Sequence, residues 1–91
     1  MNIKEICIGD SQIIEYKLEN QILTMILQDY TETLYEITMN ECGYILVKGS
    51  VGFSLSDAKF KRNKKCDNWF FYDADGEVME IHFNGYKIRK I

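Results

Sequence analysis

Apolar and polar residues alternate with a period of two along most of this chain, and short turn sequences interrupt the alternation. That period sends successive side chains to opposite faces of an extended ribbon, so it selects strands over helices. The last third shows it most clearly, where NWFFY, EVMEIHF and YKIRKI are separated by DADG and NG. Asn84-Gly85 between alternating apolar runs predicts a two-residue hairpin, with Phe83 opposite Tyr86, Ile81 opposite Ile88 and Glu80 opposite Arg89. A turn at Asp75-Gly76, of two residues or four, puts Phe70, Tyr72, Met79, Ile81, Phe83 and Ile88 on one face. The other face then carries Trp69, Phe71, Val78, Glu80 and His82. Two aromatics there call for a covering layer of protein or for a partner.

The first half repeats the pattern with weaker turns. QIIEYKL, QILTMILQD, TLYEITM and YILVKG read as a second meander, with turns at EN, near YTE and at NECG. A loop at Glu19-Asn20 places Ile14, Tyr16, Leu18, Leu23, Met25 and Leu27 on one side. Ile22 and Ile26 fall opposite, so the strand that holds them is apolar on both sides and belongs in the middle of a sheet. A short opening strand is expected around Lys4 to Ile8. Between the meanders, GSVGFSLSDAKFKRNKKCDN breaks the alternation; Ser56 as N-cap, Asp57 in the first turn and a Leu55/Phe60 staple predict a short helix near 56–61, with a mobile loop as the alternative. The expected fold is one all-β domain over residues 1–91, of six to eight antiparallel strands in two meanders, closed as a small barrel or packed as a sandwich.

A chain of 91 residues that is 46% hydrophobic and 27% charged is an ordinary small globular domain with a thin core. It holds no proline, where average usage of about 5% predicts several. Strand edges therefore lack one common guard against pairing with other chains, and homo-oligomerisation is one reading of the sequence. No apolar run is long enough for a signal-peptide core or a bilayer span, so a cytoplasmic location without membrane contact is expected. Cys7, Cys42 and Cys66 are widely spaced without a C-x-x-C pair, which points to buried free thiols rather than a disulfide framework or a zinc site.

The aspartates of DADG invite comparison with the calcium loop D-x-D-x-D-G-x5-E. With Gly76 as the template glycine, Asp73 and Asp75 fit, but the first ligand position is Phe71 and the last is His82. Two essential oxygens are missing, and Asp and Gly are the residues of a tight turn. No metal and no cofactor is implied. GSVG at 49–52 lacks the Lys-Ser/Thr pair of a phosphate cradle. His82 is the one histidine, on a strand where it would face Lys87 or Trp69. Cys66 beside Lys65 has a thiolate-favouring neighbour, yet nothing local pairs it with His82, and the chain reads as non-enzymatic.

Charge divides along the chain. Residues 1–58 carry nine acids against three bases and residues 59–91 eight bases against five acids, which leaves −6 and +3. Lys59, Lys61, Arg62, Lys64 and Lys65, with Phe60 among them and Trp69 close by, have the composition of a single-stranded nucleic-acid footprint. The acids of the first meander suit a cationic protein partner instead. In layout, QILTMILQDYTETLYEITMNECGYI followed by GEVMEIHFNGYKIRKI resembles the small cytoplasmic β proteins of bacterial toxin-immunity systems. That resemblance implies a non-enzymatic inhibitor that occludes a toxin's active site. The reading is therefore a protein-binding module, in its sharpest form an immunity or inhibitor protein against a cationic toxin or nuclease, with a surface of Trp69, Phe71, His82, Glu15, Glu32 and Glu36. The alternative is a nucleic-acid-binding domain that uses the segment 59–65.

Overall fold

The computed structural model describes residues 1–48 and 54–91. Within these residues a 3-10 turn at Ile3–Glu5 precedes nine strands: β1 (Ser11–Glu19), β2 (Ile22–Gln28), β3 (Leu34–Met39), β4 (Tyr44–Val47), β5 (Ser54–Leu55), β6 (Asp57–Arg62), β7 (Asp67–Asp73), β8 (Gly76–Phe83) and β9 (Tyr86–Lys90). They form two antiparallel sheets, one of five strands in the order β5-β1-β2-β3-β9 and one of four in the order β4-β8-β7-β6. The all-β expectation holds. Leu23, Met25, Leu27, Ile37 and Met39 of the first sheet and Trp69, Phe71, Met79, Ile81 and Phe83 of the second belong to one buried cluster. Alternation that buries one face of each sheet against the other is the physical basis of this arrangement.

The two local meanders are not the two sheets. Strand β4 leaves the first meander to pair with β8, and β9 leaves the second to pair with β3. Asn84-Gly85 is thus a crossover between sheets and not a hairpin. Both edges of β8 are already taken, by β4 and β7. The expected pairs of Ile81 with Ile88 and Glu80 with Arg89 are replaced by Ile37 opposite Ile88 and Glu36 opposite Arg89. The Asn40 N–H donates to the Gly85 carbonyl (2.9 Å) and the Asn84 N–H to the Asn40 carbonyl (2.8 Å), which clamps the link to the end of β3. Gly85 has φ +82° there, with only Asn40 Nδ2 within 4 Å of where a Cβ would sit. Gly85→Ala is therefore expected to cost about 1–2 kcal/mol through backbone strain alone, read as a lower urea midpoint.

Two β-bulges decide which residues face the core. The DADG turn uses Ala74 and Asp75 as its loop, since Asp73 pairs with Gly76; the Asp75 N–H donates to Asp73 Oδ1 at 2.7 Å. Tyr72 pairs with Glu77, but Phe71 pairs with Met79, so Val78 is the extra residue. One inserted residue reverses the parity of everything beyond it. Trp69, Phe71, Met79, Ile81 and Phe83 consequently face inward, while Phe70 and Tyr72 move to the outer face beside Glu80 and His82. This corrects the faces expected from the sequence.

A bulge between Ile13 and Glu15 acts likewise in β1: Ile13 is 2% exposed and Ile14, expected inside, is 40% exposed. The β1–β2 loop is Asn20-Gln21, with φ of 52° and 61°, as a two-residue hairpin of this hand requires. Leu23, Met25 and Leu27 are buried as expected, and β2 is the central strand of its sheet.

The helix expected near 56–61 is absent. Residues 54–62 extend through both sheets, β5 pairing with β1 and β6 with β7, with Ser56 at the corner where both its N–H and its hydroxyl donate to the Tyr72 carbonyl (2.8 and 3.2 Å). Here the alternation of Ala58 and Phe60 with Lys59 and Lys61 prevails over the capping signal at Ser56. At the N-terminus the 3-10 turn replaces the expected strand, with Ile3 and Ile6 inserted in the core.

Candidate functional site

The six residues selected from the sequence as a partner surface do not form one. Trp69 and Phe71 are 1% and 0% exposed, with their rings 4.5 Å apart in the core, so neither can touch a partner of the folded chain. Glu15 and Glu36 share a cross-strand row on the outer face of the five-stranded sheet, through Ile26. His82 lies on the outer face of the other sheet, and Glu32 lies exposed in the β2–β3 loop. The arrival of β9 beside β3 also changes the electrostatics. Arg89 Nε donates to Glu36 Oε1 at 2.7 Å, a hydrogen bond that holds the Glu36 carboxyl below its usual range and the guanidinium above its own. Lys17 pairs with Glu19 at 3.0 Å. The acidic half of the chain thus folds into a face of mixed sign.

The cationic residues are better assembled. Strand β6 ends the four-stranded sheet, and residues 63–66 join it to β7 in a tight turn with Lys64 and Lys65 at its tip, closed by the Asn63 N–H donating to the Cys66 carbonyl at 3.0 Å. On the outer face, Lys61, Asn68, His82 and Tyr44 form one cross-strand row and Lys59, Phe70, Glu80 and Leu46 the next. The ammonium of Lys59 lies 5.6 Å from the centre of the Tyr72 ring and that of Lys61 5.7 Å from Phe70. Arg62 is committed differently: its Nε meets Asp67 Oδ1 at 3.2 Å and its guanidinium lies 5.8 Å from the Phe60 ring. Among the described residues Lys59, Lys61, Lys64 and Lys65 have no acidic partner.

Behind this basic edge lies an open cleft of about 340 Å³ between β6 and the N-terminal segment, lined by Ile3, Ile6, Ile8, Ala58, Phe60 and Trp69, with Lys4 and Asp57 at its rim. A smaller hollow of about 180 Å³ continues along the same edge between Lys4, Phe60, Arg62 and Tyr86. Phe60 is half-buried and joins the two, packed edge-on to Tyr86 at 6.0 Å. The sequence contained the signal for this arrangement in the period of DAKFKR, which puts cations on one face and Ala58 and Phe60 on the other. The cleft itself required knowing that the N-terminal segment lies alongside.

The remaining chemistry is sparse. His82 Nε2 lies 2.6 Å from Glu80 Oε2 and its ring is 4.6 Å from that of Tyr44; its cross-strand neighbours are Asn68 and Tyr44, not Trp69 or Lys87. The Cys66 thiol donates to Asn68 Oδ1 at 3.3 Å. All three cysteines are free thiols; only Cys42 is buried, which pushes its pKa up, and Cys7 is exposed, contrary to the expectation of buried thiols. Among the described residues no three His, Cys, Asp or Glu side chains converge as metal ligands, and no helix is long and apolar enough to cross a membrane. The GSVG stretch at 49–52 lies outside the described residues. The chain matches no known family model, and no curated protein and no solved structure is detectably similar to it.

Proposed function

We propose that this protein is a non-enzymatic, cytoplasmic protein-binding module whose contact surface is the β6 edge, its cationic hairpin and the cleft behind them. The observation that carries the reading is the combination, among the described residues, of an open cleft, a terminal strand and four lysines without acidic partners at one sheet edge. A concavity beside an edge supplies contact area, and a row of charges of one sign along that edge steers the encounter and selects the partner. An inhibitor or immunity protein is the sharpest form of this reading. Its version with a cationic toxin as partner would depend on Glu15 and Glu32, which no cation pairs among the described residues.

The nucleic-acid reading draws support from the lysines that flank Phe70 and Tyr72, but three features weigh against it. Phe60 and Trp69, the aromatics of the sequence footprint, face inward. Arg62 is held by Asp67, and the rings of Phe70 and Tyr72 already carry lysine ammonium groups. Affinity capture from the native cell, with Lys59→Glu/Lys61→Glu as the comparison bait, separates the two. A protein partner that survives nuclease treatment and is lost from the variant bait is the expected result. Capture of species that disappear with nuclease would replace this reading with the other.

A further inference from the structure

We infer that the β6 edge takes up an extended peptide of a partner protein as an added strand, and that this peptide alternates acidic with apolar residues. The inference rests on the protein-binding reading above and gives it a geometry. Among the described residues, strand β6 has β7 on one side only. The Asn63 N–H bonds to the Cys66 carbonyl, so in an antiparallel ladder the alternate residues Lys61 and Lys59 direct their backbone groups to β7. Ala58, Phe60 and Arg62 then direct theirs outward. The Ala58 N–H is taken by Asp57 Oδ1 at 2.8 Å. No hydrogen bond joins residues 2–8 to β6, although that segment forms the far wall of the cleft. Among the described residues the backbone groups of Phe60 and Arg62 are therefore an open template beside a hollow into which the half-buried Ala58 and Phe60 face, which is the arrangement used in recognition by strand addition.

Side-chain parity defines what such a peptide must carry. Lysines on an edge strand usually serve to keep other strands away, and they do so least against an acidic one. Residues of an added strand that project to the outer face would neighbour Lys59 and Lys61. Those between them would project inward, towards the part of the cleft lined by the half-buried Ile8, Ala58 and Phe60. Acidic and apolar residues in strict alternation satisfy both rows at once. A peptide with the same residues in two blocks satisfies neither, and a nucleic acid offers no backbone N–H row to the edge.

The experiment uses the full chain and a fluorescein-labelled octapeptide of alternating Glu and Leu, read by fluorescence anisotropy. Three comparison peptides share its length: one with Lys for Glu, one with the residues in two blocks, and one N-methylated along a single edge of its backbone. Binding of the alternating acidic peptide is expected to weaken about tenfold or more in each comparison, and about tenfold in Lys59→Glu/Lys61→Glu, whose exposed substitutions leave the fold unchanged by circular dichroism. Amide shifts at Phe60 and Arg62 are expected to report the contact. Equal binding of the N-methylated peptide, no binding of the alternating peptide, or tighter and steeply salt-dependent binding of oligothymidylate would each overturn the inference. If the peptide fails while a nuclease-resistant protein partner is still captured by the wild type and lost from the lysine variant, strand addition is wrong and the protein-binding reading stands.

Discussion

Trp69→Ala is expected to destabilise the protein by about 3–5 kcal/mol, the range for truncating a large aromatic in a packed core. The indole is 1% exposed, stacks obliquely on Phe71 with centroids 4.5 Å apart, and lies opposite Phe60 on β6 and Ile81 on β8. Its removal leaves a void that three strands must collapse to fill, and it opens the floor of the β6 cleft, which Trp69 lines. Small domains have about 5–15 kcal/mol in total, so the variant should lose a large share of its stability. Because Trp69 is the one tryptophan, urea unfolding is best followed by circular dichroism. A change within about 0.5 kcal/mol, as for an exposed residue, would return Trp69 to the surface and reverse the parity assigned here to β7.

Asp29→Ala should cost about 2–3 kcal/mol, because one buried carboxylate organises the whole β2–β3 connection. Its Oδ1 accepts from the Thr31 N–H (2.9 Å), the Thr31 hydroxyl (2.6 Å) and the Thr33 N–H (3.0 Å), and its Oδ2 from the buried Tyr35 hydroxyl (3.1 Å). Alanine would strand those donors. The Thr31 hydroxyl does most to lower the carboxyl's pKa, burial opposes it, and the loop N–H groups and Tyr35 add to the lowering. A carboxyl with a lower pKa in the folded chain stabilises fully above the unfolded value of about 4, and that contribution disappears as pH falls through the folded value. The stability difference between wild type and Asp29→Asn should therefore be largest near neutrality and shrink in acid. The same cluster acts at the other end of the pH scale. Burial first, and then the Asp29 carboxylate, raise the pKa of Tyr35, so its contribution is lost as pH rises above about 10. A Wild-type-minus-Asn difference that stays constant through the acid limb would show that the carboxylate's charge is not what the loop uses.

Strand content was legible because period two is a local property: each run of residues names its own two faces, and turns such as DADG announce themselves by composition. The inward sides of β2 and β3 follow directly from Leu23, Met25, Leu27 and Ile37. The basic row of Lys59 and Lys61 was equally open to reading, although the cap-like Ser56-Asp57 pair favoured a helix. The β6 cleft was not, because one of its walls comes from Ile3, Ile6 and Ile8, far away in sequence.

Alternation along a ribbon states that a face is apolar but contains nothing about which ribbon lies beside it. Local chemistry therefore specified strands, turns and a shared hydrophobic interior, whereas partner choice was left to contacts distant along the chain. Ile88 joins Ile37 and Arg89 joins Glu36 because β8 has no vacant edge, although Asn84-Gly85 looks like a hairpin. A single unpaired residue, Val78, then decides whether Trp69 faces water or the core, and an insertion of that kind has a meaning only relative to the strand opposite.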